Sequence, residues 1–206
     1  MTVIVDYGLG NLASIKNMLR YIGFQSTISG NPNDIKFAER IILPGVGAFD
    51  NGIRNMRERG LIETLNEKVL GEKVPTLGIC LGMQLMTEGS EEGLEPGLGW
   101  INGMVKAFRF PKNETLRVPH MGWNIVSIKK KSEITRNFLQ EMRFYFVHSY
   151  HVVCKEIDDI LLTTDYGGEI TAAILKDNIV GTQFHPEKSH RFGMLVLKNF
   201  MEMDHA

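Results

Sequence analysis

The chain has 206 residues, of which 43% are hydrophobic and 23% are charged, and its formal net charge is −1. This composition is typical of a folded globular protein. The near-neutral charge argues against nucleic-acid binding, which needs a surplus of basic residues on one face. No apolar run approaches the roughly 20 residues of a membrane helix, and the first residues lack the basic and apolar regions of a signal peptide. We therefore predict one domain, residues 1–206, in the cytoplasm, that binds neither nucleic acid nor membranes.

The two cysteines, Cys80 and Cys154, lie far apart in the sequence. Free thiols in a reducing cytosol fit this pattern better than a single disulfide, which remains the alternative. The cysteines and histidines lack the paired spacing of a zinc site, so we expect no metal, and we expect no cofactor. The remaining question is which thiol is reactive.

The first half of the chain alternates short apolar runs with helical patterns. Strands are predicted at residues 2–5, 25–29, 41–43 and 76–79. Helices are predicted at residues 12–22, from residue 32, and at residues 53–59, 61–70 and 81–87. Gly23 is the expected C-terminal cap of the first helix, and Asn31 the N-cap of the second. Strand–helix alternation implies right-handed crossovers and a parallel sheet.

The second half of the chain is dominated by strand-like segments. They lie at residues 105–108, 124–128, 144–153, 160–164, 172–175 and 179–183. A last helix is predicted from about residue 192 to 203. The strands either extend the first sheet in antiparallel fashion or form a second small sheet against it. The predicted class is α/β, with a mostly parallel central sheet that helices flank and antiparallel strands from the C-terminal half.

A candidate nucleophile lies at residues 78–82, Gly-Ile-Cys-Leu-Gly, between a predicted strand and a predicted helix. This setting is that of the nucleophile elbow, with Cys80 where hydrolases have serine. Glycines two positions before and after the nucleophile let strand and helix approach, and the positive N-terminal end of the helix favours a thiolate. The alternative is a buried cysteine flanked by glycines for packing. Cys154 ends an apolar strand and is predicted to pack as a small hydrophobic residue.

A thiolate nucleophile needs a partner that accepts and donates protons, and histidine does both. Among the six histidines, His185 ends a predicted strand and precedes a proline. Glu187 lies two residues on and shares one face of an extended backbone with His185, where it can orient the ring. His120 and His148 are rival candidates for the base. A strand end beside a turn is the alternative interpretation of the His-Pro-Glu tripeptide.

The developing oxyanion needs hydrogen-bond donors. Residues 44–47, Pro-Gly-Val-Gly, follow a predicted parallel strand, and this loop can expose a backbone N–H to the oxyanion. The N–H of Leu81, directly after Cys80, is the predicted second donor. A simple turn is the alternative interpretation of the loop.

Together these motifs resemble the class I glutamine amidotransferases. The resemblance rests on the elbow extended to Gln84, on the Pro-Gly-Val-Gly loop and on Phe-His-Pro-Glu at residues 184–187. Further stretches are similar to the glutaminase subunits of imidazole glycerol phosphate synthases: residues 6–12, 43–49, 119–124, 145–150 and 185–189. The resemblance covers almost the whole chain and implies the class I glutamine amidotransferase fold.

The resemblance also implies roles for individual residues. The activity it implies is hydrolysis of L-glutamine by a Cys-His-Glu triad. The implied triad is Cys80, His185 and Glu187. The implied oxyanion loop is Gly45, Val46 and Gly47. The implied glutamine contacts are Gln84, Glu92, Ser149 and Tyr150.

A partner follows from the same resemblance. In this family the glutaminase docks on a separate (β/α)₈-barrel cyclase as a heterodimer. Ammonia passes through the barrel to a nucleotide of histidine biosynthesis, giving imidazole glycerol phosphate and an aminoimidazole nucleotide. Channelling keeps ammonia from neutral water, where it would be protonated and lose its nucleophilicity. The positions that match partner-facing residues are Asn11, Met121, Trp123, Tyr145 and Lys188.

The acceptor of the ammonia has a second candidate. Residues 150–154 and 189–194 look more like a paralogous branch found with surface-polysaccharide genes. In that branch a similar glutaminase and barrel pair supplies ammonia to the amidation of a sugar. The triad and the type of partner are the same in both cases.

Three other functions compete with this one. Residues 8–13 fit the glycine fingerprint of dinucleotide-binding proteins, but residues 29–31, Ser-Gly-Asn, stand where that fingerprint expects an acidic residue. Another cysteine hydrolase or peptidase on a related fold is a nearer alternative, although Gln84 and the Ser149–Tyr150 pair favour a small amide substrate. An inactive regulator is disfavoured because no member of the implied triad is replaced.

Overall fold

The computed structural model describes residues 1–111, 116–138 and 141–204. Within these residues the strands are β1 (Thr2–Val5), β2 (Thr27–Ser29), β3 (Arg40–Gly45), β4 (Thr76–Cys80), β5 (Gly89–Ser90), β6 (Gly103–Ala107), β7 (His120–Ile128), β8 (Arg143–His148), β9 (Tyr150–Cys154), β10 (Ile160–Asp165), β11 (Glu169–Lys176) and β12 (Ile179–Thr182). The α-helices are α1 (Leu12–Tyr21), α2 (Pro32–Lys36), α3 (Phe49–Glu58), α4 (Leu61–Asn66), α5 (Leu81–Leu85) and α6 (His190–Met201). A π-helical segment, Glu67–Gly71, continues α4.

The larger sheet has the strand order β2-β1-β3-β4-β12-β11-β10-β7-β8. Its first five strands run parallel, and the pairings from β12 to β8 are antiparallel. The smaller sheet, β5-β6-β9, joins a parallel and an antiparallel pair. The predicted α/β class is confirmed, and both suggested uses of the C-terminal strands occur: some extend the main sheet and others form a second one.

Two hydrophobic layers cover the two faces of the larger sheet. β1 is buried along its whole length, and its side chains alternate between the layers, as the two-residue period of a strand requires. Val3 and Val5 pack in the layer that includes α2, α3, α4 and the small sheet. Ile4 packs in the layer that includes α1 and α6. This sandwich fixes the carboxyl ends of β1, β3, β4 and β12, where the chemistry-bearing loops begin.

Local sequence explains the first helices. The Asn11 side chain accepts a hydrogen bond from Ser14 N at the start of α1, and Asn31 does the same for Asn33 N at the start of α2. Gly23 follows α1 with φ of +94°, a value that glycine adopts without steric cost. The hydrogen bond from Asn33 N to the Asn31 side chain confirms the predicted Asn31 cap. Among the helices of the described residues, none combines the length and apolarity needed to span a bilayer.

The predicted single strand at residues 144–153 is wrong. It divides at Ser149 into β8, which pairs with β7 in the large sheet, and β9, which pairs with β6 in the small sheet. At the junction the Ser149 carbonyl accepts a hydrogen bond from Phe108 N, 3.3 Å away. The apolar pattern is continuous across this point, so it gives no sign that the chain changes sheets. Ser149 and Tyr150, the residues at this junction, line a cavity together with Cys80.

Candidate active site

Cys80 lies at the sharp turn between β4 and α5, and its backbone has φ of +55° and ψ of −110°. This conformation is rarely adopted by a residue with a side chain and is typical of a nucleophile elbow. The flanking glycines are sterically required. A Cβ on Gly82 would lie 1.7 Å from the Leu43 carbonyl oxygen, and one on Gly78 would lie 2.7 Å from Met83 N. The turn therefore holds Cys80 in a strained and fixed position at the carboxyl edge of the sheet.

His185 follows β12, the strand next to β4, and is 1% exposed. Its Nδ1–H donates to Glu187 Oε1 over 2.8 Å, and both side chains are buried. The backbone is fixed as well, because His185 N donates to the Tyr145 carbonyl and Ser189 Oγ donates to the His185 carbonyl. The Glu187 carboxylate thus orients the ring and sets its tautomer, as an orienting acid does in a catalytic triad.

The electrostatics of His185 favour a charged ring. Burial by itself would lower the pKa of His185, but the thiol of Cys80 and the carboxylate of Glu187 oppose this and raise it to about 9. A group that holds a proton at neutral pH beside a thiol stabilises the thiolate. The arrangement suits a thiolate–imidazolium pair, in which sulfur attacks and the ring protonates a leaving group.

A cavity of about 440 Å³ opens over this pair. Its lining includes Cys80, His185 and the following predicted residues: Val46, Gly47, Leu81, Gln84, Glu92, Ser149 and Tyr150. Two predicted site residues do not line it. Glu187 lies behind His185, and Gly45 lies beneath the loop, where a Cβ would come within 2.3 Å of the Tyr7 hydroxyl. The volume of the cavity is within the usual range for small-molecule sites.

The predicted oxyanion loop follows the end of β3. Gly45 pairs with Cys80 across β3 and β4, so the loop leaves the sheet directly beside the nucleophile. Val46 is 41% exposed, and Gly47 has φ of +111°. Tyr7, which is fully buried, anchors the loop because its hydroxyl donates to the Pro44 carbonyl. Burial raises the pKa of Tyr7 well above its ordinary value, so the hydroxyl remains a donor.

Two glutamines connect the nucleophile to the backbone of Tyr150. Gln183 Nε2 lies 3.7 Å from Cys80 Sγ, and Gln183 Oε1 accepts from Gln84 Nε2 over 3.0 Å. Gln84 Nε2 also donates to the Tyr150 carbonyl over 3.0 Å. The Glu92 carboxylate is held from the other side by Phe49 N, 2.9 Å away. With the bond from Phe108 N to the Ser149 carbonyl, all four predicted glutamine contacts are thus tied to neighbouring elements before any ligand binds.

The rival histidines have a different environment. Burial lowers the pKa of His120 to about 4 and, together with smaller effects of nearby groups, that of His148 to about 3. His120 Nδ1 and His148 Nε2 lie 2.9 Å apart, and His148 Nδ1 donates to the Tyr150 carbonyl over 2.8 Å. Both rings are therefore neutral and hydrogen-bonded to each other. Such rings are poorly suited to act as the base for Cys80.

Cys154 differs from Cys80 in its place in the fold and has a pKa unfavourable to reaction. It ends β9 as a free thiol and is not among the residues that line the cavity. Burial raises the pKa of the Cys154 thiol to about 11, and the nearby Asp159 adds to this effect. The thiolate is thus disfavoured at neutral pH. Among the described residues, no group of three His, Cys, Asp or Glu side chains is arranged to hold a metal ion.

The five predicted partner-facing residues are at or near the surface around β7 and β8. Met121 and Trp123 are 62% and 47% exposed. Trp123 is the cross-strand neighbour of Tyr145, and Lys188 Nζ lies 5.9 Å from the Tyr145 ring. We call Met121, Trp123, Tyr145 and Lys188 the docking patch. Asn11 is exposed at the start of α1, which contacts the 186–188 turn that carries Lys188.

Sequence reasoning missed three residues that hold the site together. Gln183 stands two positions before His185, and a two-residue period indicates that both face the same side. Tyr7 follows β1 and Pro44 lies near the end of the neighbouring parallel strand β3, so their positions at one sheet edge were a usable signal. Ser189 joins Tyr145 N to the His185 carbonyl. It carries no such signal, because both of its partners are backbone groups, which have no sequence signature, and Tyr145 is also distant in sequence.

The glycine-rich turn at residues 8–13 packs against the candidate oxyanion loop. A Cβ on Gly10 would lie 3.3 Å from Pro44 Cβ and 3.4 Å from Gly45 N. At the end of β2, Ser29 Oγ contacts Asp34 Oδ2 at 2.5 Å. Gly10 is thus explained by close packing against residues 44–45, without a dinucleotide.

An α/β fold with a cysteine at a strand–helix elbow, beside a histidine that a carboxylate orients, is typical of cysteine-dependent hydrolases and amidotransferases. The family model "Glutamine amidotransferase class-I" matches residues 3–203. The chain therefore belongs to the class I glutamine amidotransferase family, and the predicted resemblance is confirmed.

Curated relatives agree with this membership, and a solved structure shares the fold. The chain is 52% identical to the imidazole glycerol phosphate synthase subunit HisH 2 of Methanococcus maripaludis, covering 98% of this chain and 99% of the relative. It is 50% identical to the subunit of the same name in Pseudomonas aeruginosa, covering 98% and 100%. In fold it is similar to the structure of PurLQS from Thermotoga maritima, with a TM-score of 0.76, 19% identity, and coverage of 98% and 97%.

Proposed function

We propose that this chain is the glutaminase subunit of an imidazole glycerol phosphate synthase, which hydrolyses L-glutamine and passes the ammonia to a (β/α)₈-barrel cyclase subunit. The observation that carries the proposal is that Cys80, at the elbow, and His185, oriented by Glu187, line the same cavity. The two relatives that are about half identical over their whole length carry the name of that subunit.

The reaction uses each site residue in a defined role. Cys80 Sγ attacks the side-chain amide carbon of glutamine and forms a tetrahedral intermediate. The backbone N–H groups of Leu81 and of the Val46–Gly47 loop stabilise its oxyanion. The His185 imidazolium gives its proton to the amide nitrogen. Ammonia then departs, and the acyl group remains on Cys80 as a thioester. Water, deprotonated by His185, then attacks the thioester, releases glutamate and restores the thiol.

Recognition of glutamine rests on a wall of the cavity that other lining residues form. Glu92 is an acidic side chain in the cavity lining, and its carboxylate suits the α-ammonium group of an amino acid. Ser149 and Tyr150 lie at the junction between β8 and β9 and offer polar groups to the rest of the substrate. The Gln84 amide is already committed to Tyr150 and Gln183, so it contributes mainly by shaping this wall.

The docking patch fits a protein partner. It presents an exposed indole and thioether, residue types that are enriched at protein interfaces, and Lys188 lies beside them over the Tyr145 ring. The patch is directly connected to the site, because the backbone of Tyr145 accepts the hydrogen bond from His185 N. A barrel subunit that binds here therefore lies one residue away from the catalytic histidine.

Docking is also expected to activate the site. Val46 has a glycine on either side, so the peptide units of the loop can flip at low steric cost. A loop that rests with a carbonyl towards the cavity has no N–H for the oxyanion, and a partner that favours the other orientation switches catalysis on. The isolated chain should thus hydrolyse glutamine slowly.

The experiment is a glutaminase assay of the chain alone and with its barrel partner carrying an acceptor or a product-like ligand. We expect strong activation by the loaded partner, and Trp123→Ala should weaken this activation. Val46→Gly should raise the rate of the isolated chain, because it further eases the flip. An isolated subunit as fast as the complex would contradict the gating step but leave the triad unaffected.

A second acceptor is supported by one specific observation. The M. maripaludis and P. aeruginosa relatives both carry the numeral 2 in their names. A second subunit of this kind suits the alternative in which the ammonia amidates a surface-polysaccharide sugar. The test is to identify the barrel protein that co-purifies with the chain and to assay its cyclase activity. Formation of imidazole glycerol phosphate supports the first acceptor, and its absence from an otherwise glutaminase-active complex supports the second.

A further inference from the structure

A chain of hydrogen bonds runs from β7 to the wall of the cavity. Asn124 Nδ2 lies 3.3 Å from His120 Nε2, and His120 Nδ1 lies 2.9 Å from His148 Nε2. His148 Nδ1 lies 2.8 Å from the Tyr150 carbonyl oxygen. His120 and His148 are 3% and 6% exposed, so these bonds do not compete with bulk water.

The direction of every bond in this chain is fixed by its last member. A carbonyl oxygen only accepts, so His148 Nδ1 carries the proton and the Nε2 of the neutral ring accepts. His120 Nδ1 must then donate, and His120 Nε2 accepts from the Asn124 amide. One set of tautomers thus satisfies all four ring nitrogens with both rings neutral. The lowered pKa values of both histidines agree with this assignment.

Aromatic packing keeps the first ring of the chain in place. The His120 ring stacks on Tyr166 at 3.9 Å with an interplanar angle of 23°. It also stacks on Phe146 at 4.7 Å and 22°. A ring held between two others cannot rotate to another hydrogen-bond partner without losing both contacts. His120 therefore presents Nδ1–H to His148 in one orientation.

The chain ends at the residues proposed to contact glutamine. The Tyr150 carbonyl accepts from His148 and also from Gln84 Nε2, which is 3.0 Å away. His148 precedes the sheet-to-sheet junction at Ser149, and its ring reaches across this junction to Tyr150. Neither β8 nor β9 continues through Ser149, so the side-chain bond from His148 ties the end of β8 to the first residue of β9, in addition to the backbone bond from Phe108 N to the Ser149 carbonyl.

We propose that His120 and His148 are positioning residues for glutamine binding, whose paired rings hold the Tyr150 carbonyl and so keep the Ser149–Tyr150 junction and Gln84 in the shape of the substrate. This inference rests on the proposed glutaminase function and assigns a task to two histidines that the chemical steps do not use. They act through the junction and exchange no proton with the substrate.

The test compares substitutions of His148 in the complex with the barrel partner. His148→Phe keeps the ring volume and removes both hydrogen bonds, so we expect KM for glutamine to rise about tenfold while kcat changes less than about threefold. His148→Asn places an amide donor close to the position of Nδ1 and should restore much of the affinity. His151→Phe is the matched control, because His151 also stacks on Phe108 but its buried Nδ1 has no hydrogen bond to the described residues.

A second pair of measurements separates positioning from general damage. The rate at which iodoacetamide alkylates Cys80 should be the same in wild type and in His148→Phe, because this reagent needs the thiolate but no glutamine pocket. His120→Phe should also raise KM, but it should add nothing in the His148→Phe background, since the two rings act in series.

The outcomes distinguish this inference from the proposed function. A wild-type complex that does not hydrolyse glutamine overturns the proposed function. An active wild type with an unchanged KM in His148→Phe overturns only the positioning role. A loss of Cys80 alkylation in His148→Phe, or an equal rise of KM in His151→Phe, also overturns it, because the effect is then not specific to the hydrogen-bonded pair.

Discussion

Two regions of this protein bury histidines beside the same cavity and give them opposite properties. His185 has a carboxylate and a thiol as neighbours, and its pKa rises to about 9. His148 has a carbonyl and a neutral ring as its hydrogen-bond partners, and its pKa falls to about 3. Burial disfavours the charged ring in both cases, so the charge of the partners decides the protonation state. One residue type thus supplies both the proposed proton donor and the proposed positioning ring.

The largest effect is expected when the thiol of Cys80, the proposed reaction partner of His185, is removed. Cys80→Ala should lower glutamine hydrolysis by about 10⁴-fold or more, because no other group can form the thioester. Cys154→Ala is the matched control and should cost at most some stability. Release of glutamate is measured in the complex for both variants. Retained turnover in Cys80→Ala would show that the nucleophile lies elsewhere.

Removal of the proton donor comes next. His185→Asn should reduce kcat by about 10²–10⁴-fold with little change in KM, since His185 is the proposed proton donor and acceptor and the proposed glutamine contacts are other residues. A matching substitution, His151→Asn, should leave both constants near the wild-type values. If His185→Asn is fully active, the contrast between the two histidine environments is wrong, and His148 or His120 is the base.

A smaller effect is expected when the orienting charge is removed. Glu187→Gln keeps a side chain of the same size and should lower kcat by about 10–100-fold, since the ring stays in place but loses its carboxylate partner. The pH profile provides the sharper measurement. Wild-type activity should fall as the pH rises through about 9, where His185 loses its proton. Without the negative charge the imidazolium is less favoured, so this basic limb should move to lower pH. An unmoved limb would mean that Glu187 does not control the charge of His185.

The neutral pair should reveal itself through acid stability. The pKa of His148 is lower in the folded protein than the ordinary value of 6.5, so unfolding takes up a proton between these limits. The free energy of unfolding is therefore lost as the pH falls below 6.5, by about 1.4 kcal/mol per pH unit for each such histidine. His148→Asn removes one of these protons, and its denaturation curves between pH 6.5 and 4 should show a shallower slope. A slope equal to that of wild type would contradict a buried neutral His148.

Local motifs made much of the site predictable from the sequence. The elbow around Cys80 is specified by five consecutive residues, and Glu187 lies two residues from His185, so both geometries follow from short-range rules. The Gln183–Cys80 contact and the Tyr7–Pro44 bond join distant segments, and they depend on the strand order of the finished sheet. The break at Ser149 was not predictable for the same reason. The two halves of one apolar run pair with different strands, β8 with β7 and β9 with β6.

The most direct test of the central claim is to map the site that a glutamine analogue with a reactive diazoketone modifies in the native complex. Cys80 is the thiol at the elbow beside His185, so we predict one modification per chain, at Cys80, with protection by excess glutamine. Cys154, whose pKa is raised to about 11, should remain unmodified. Equal modification of Cys154, or inactivation without any modification of Cys80, would contradict the assignment of Cys80 as the nucleophile that attacks glutamine.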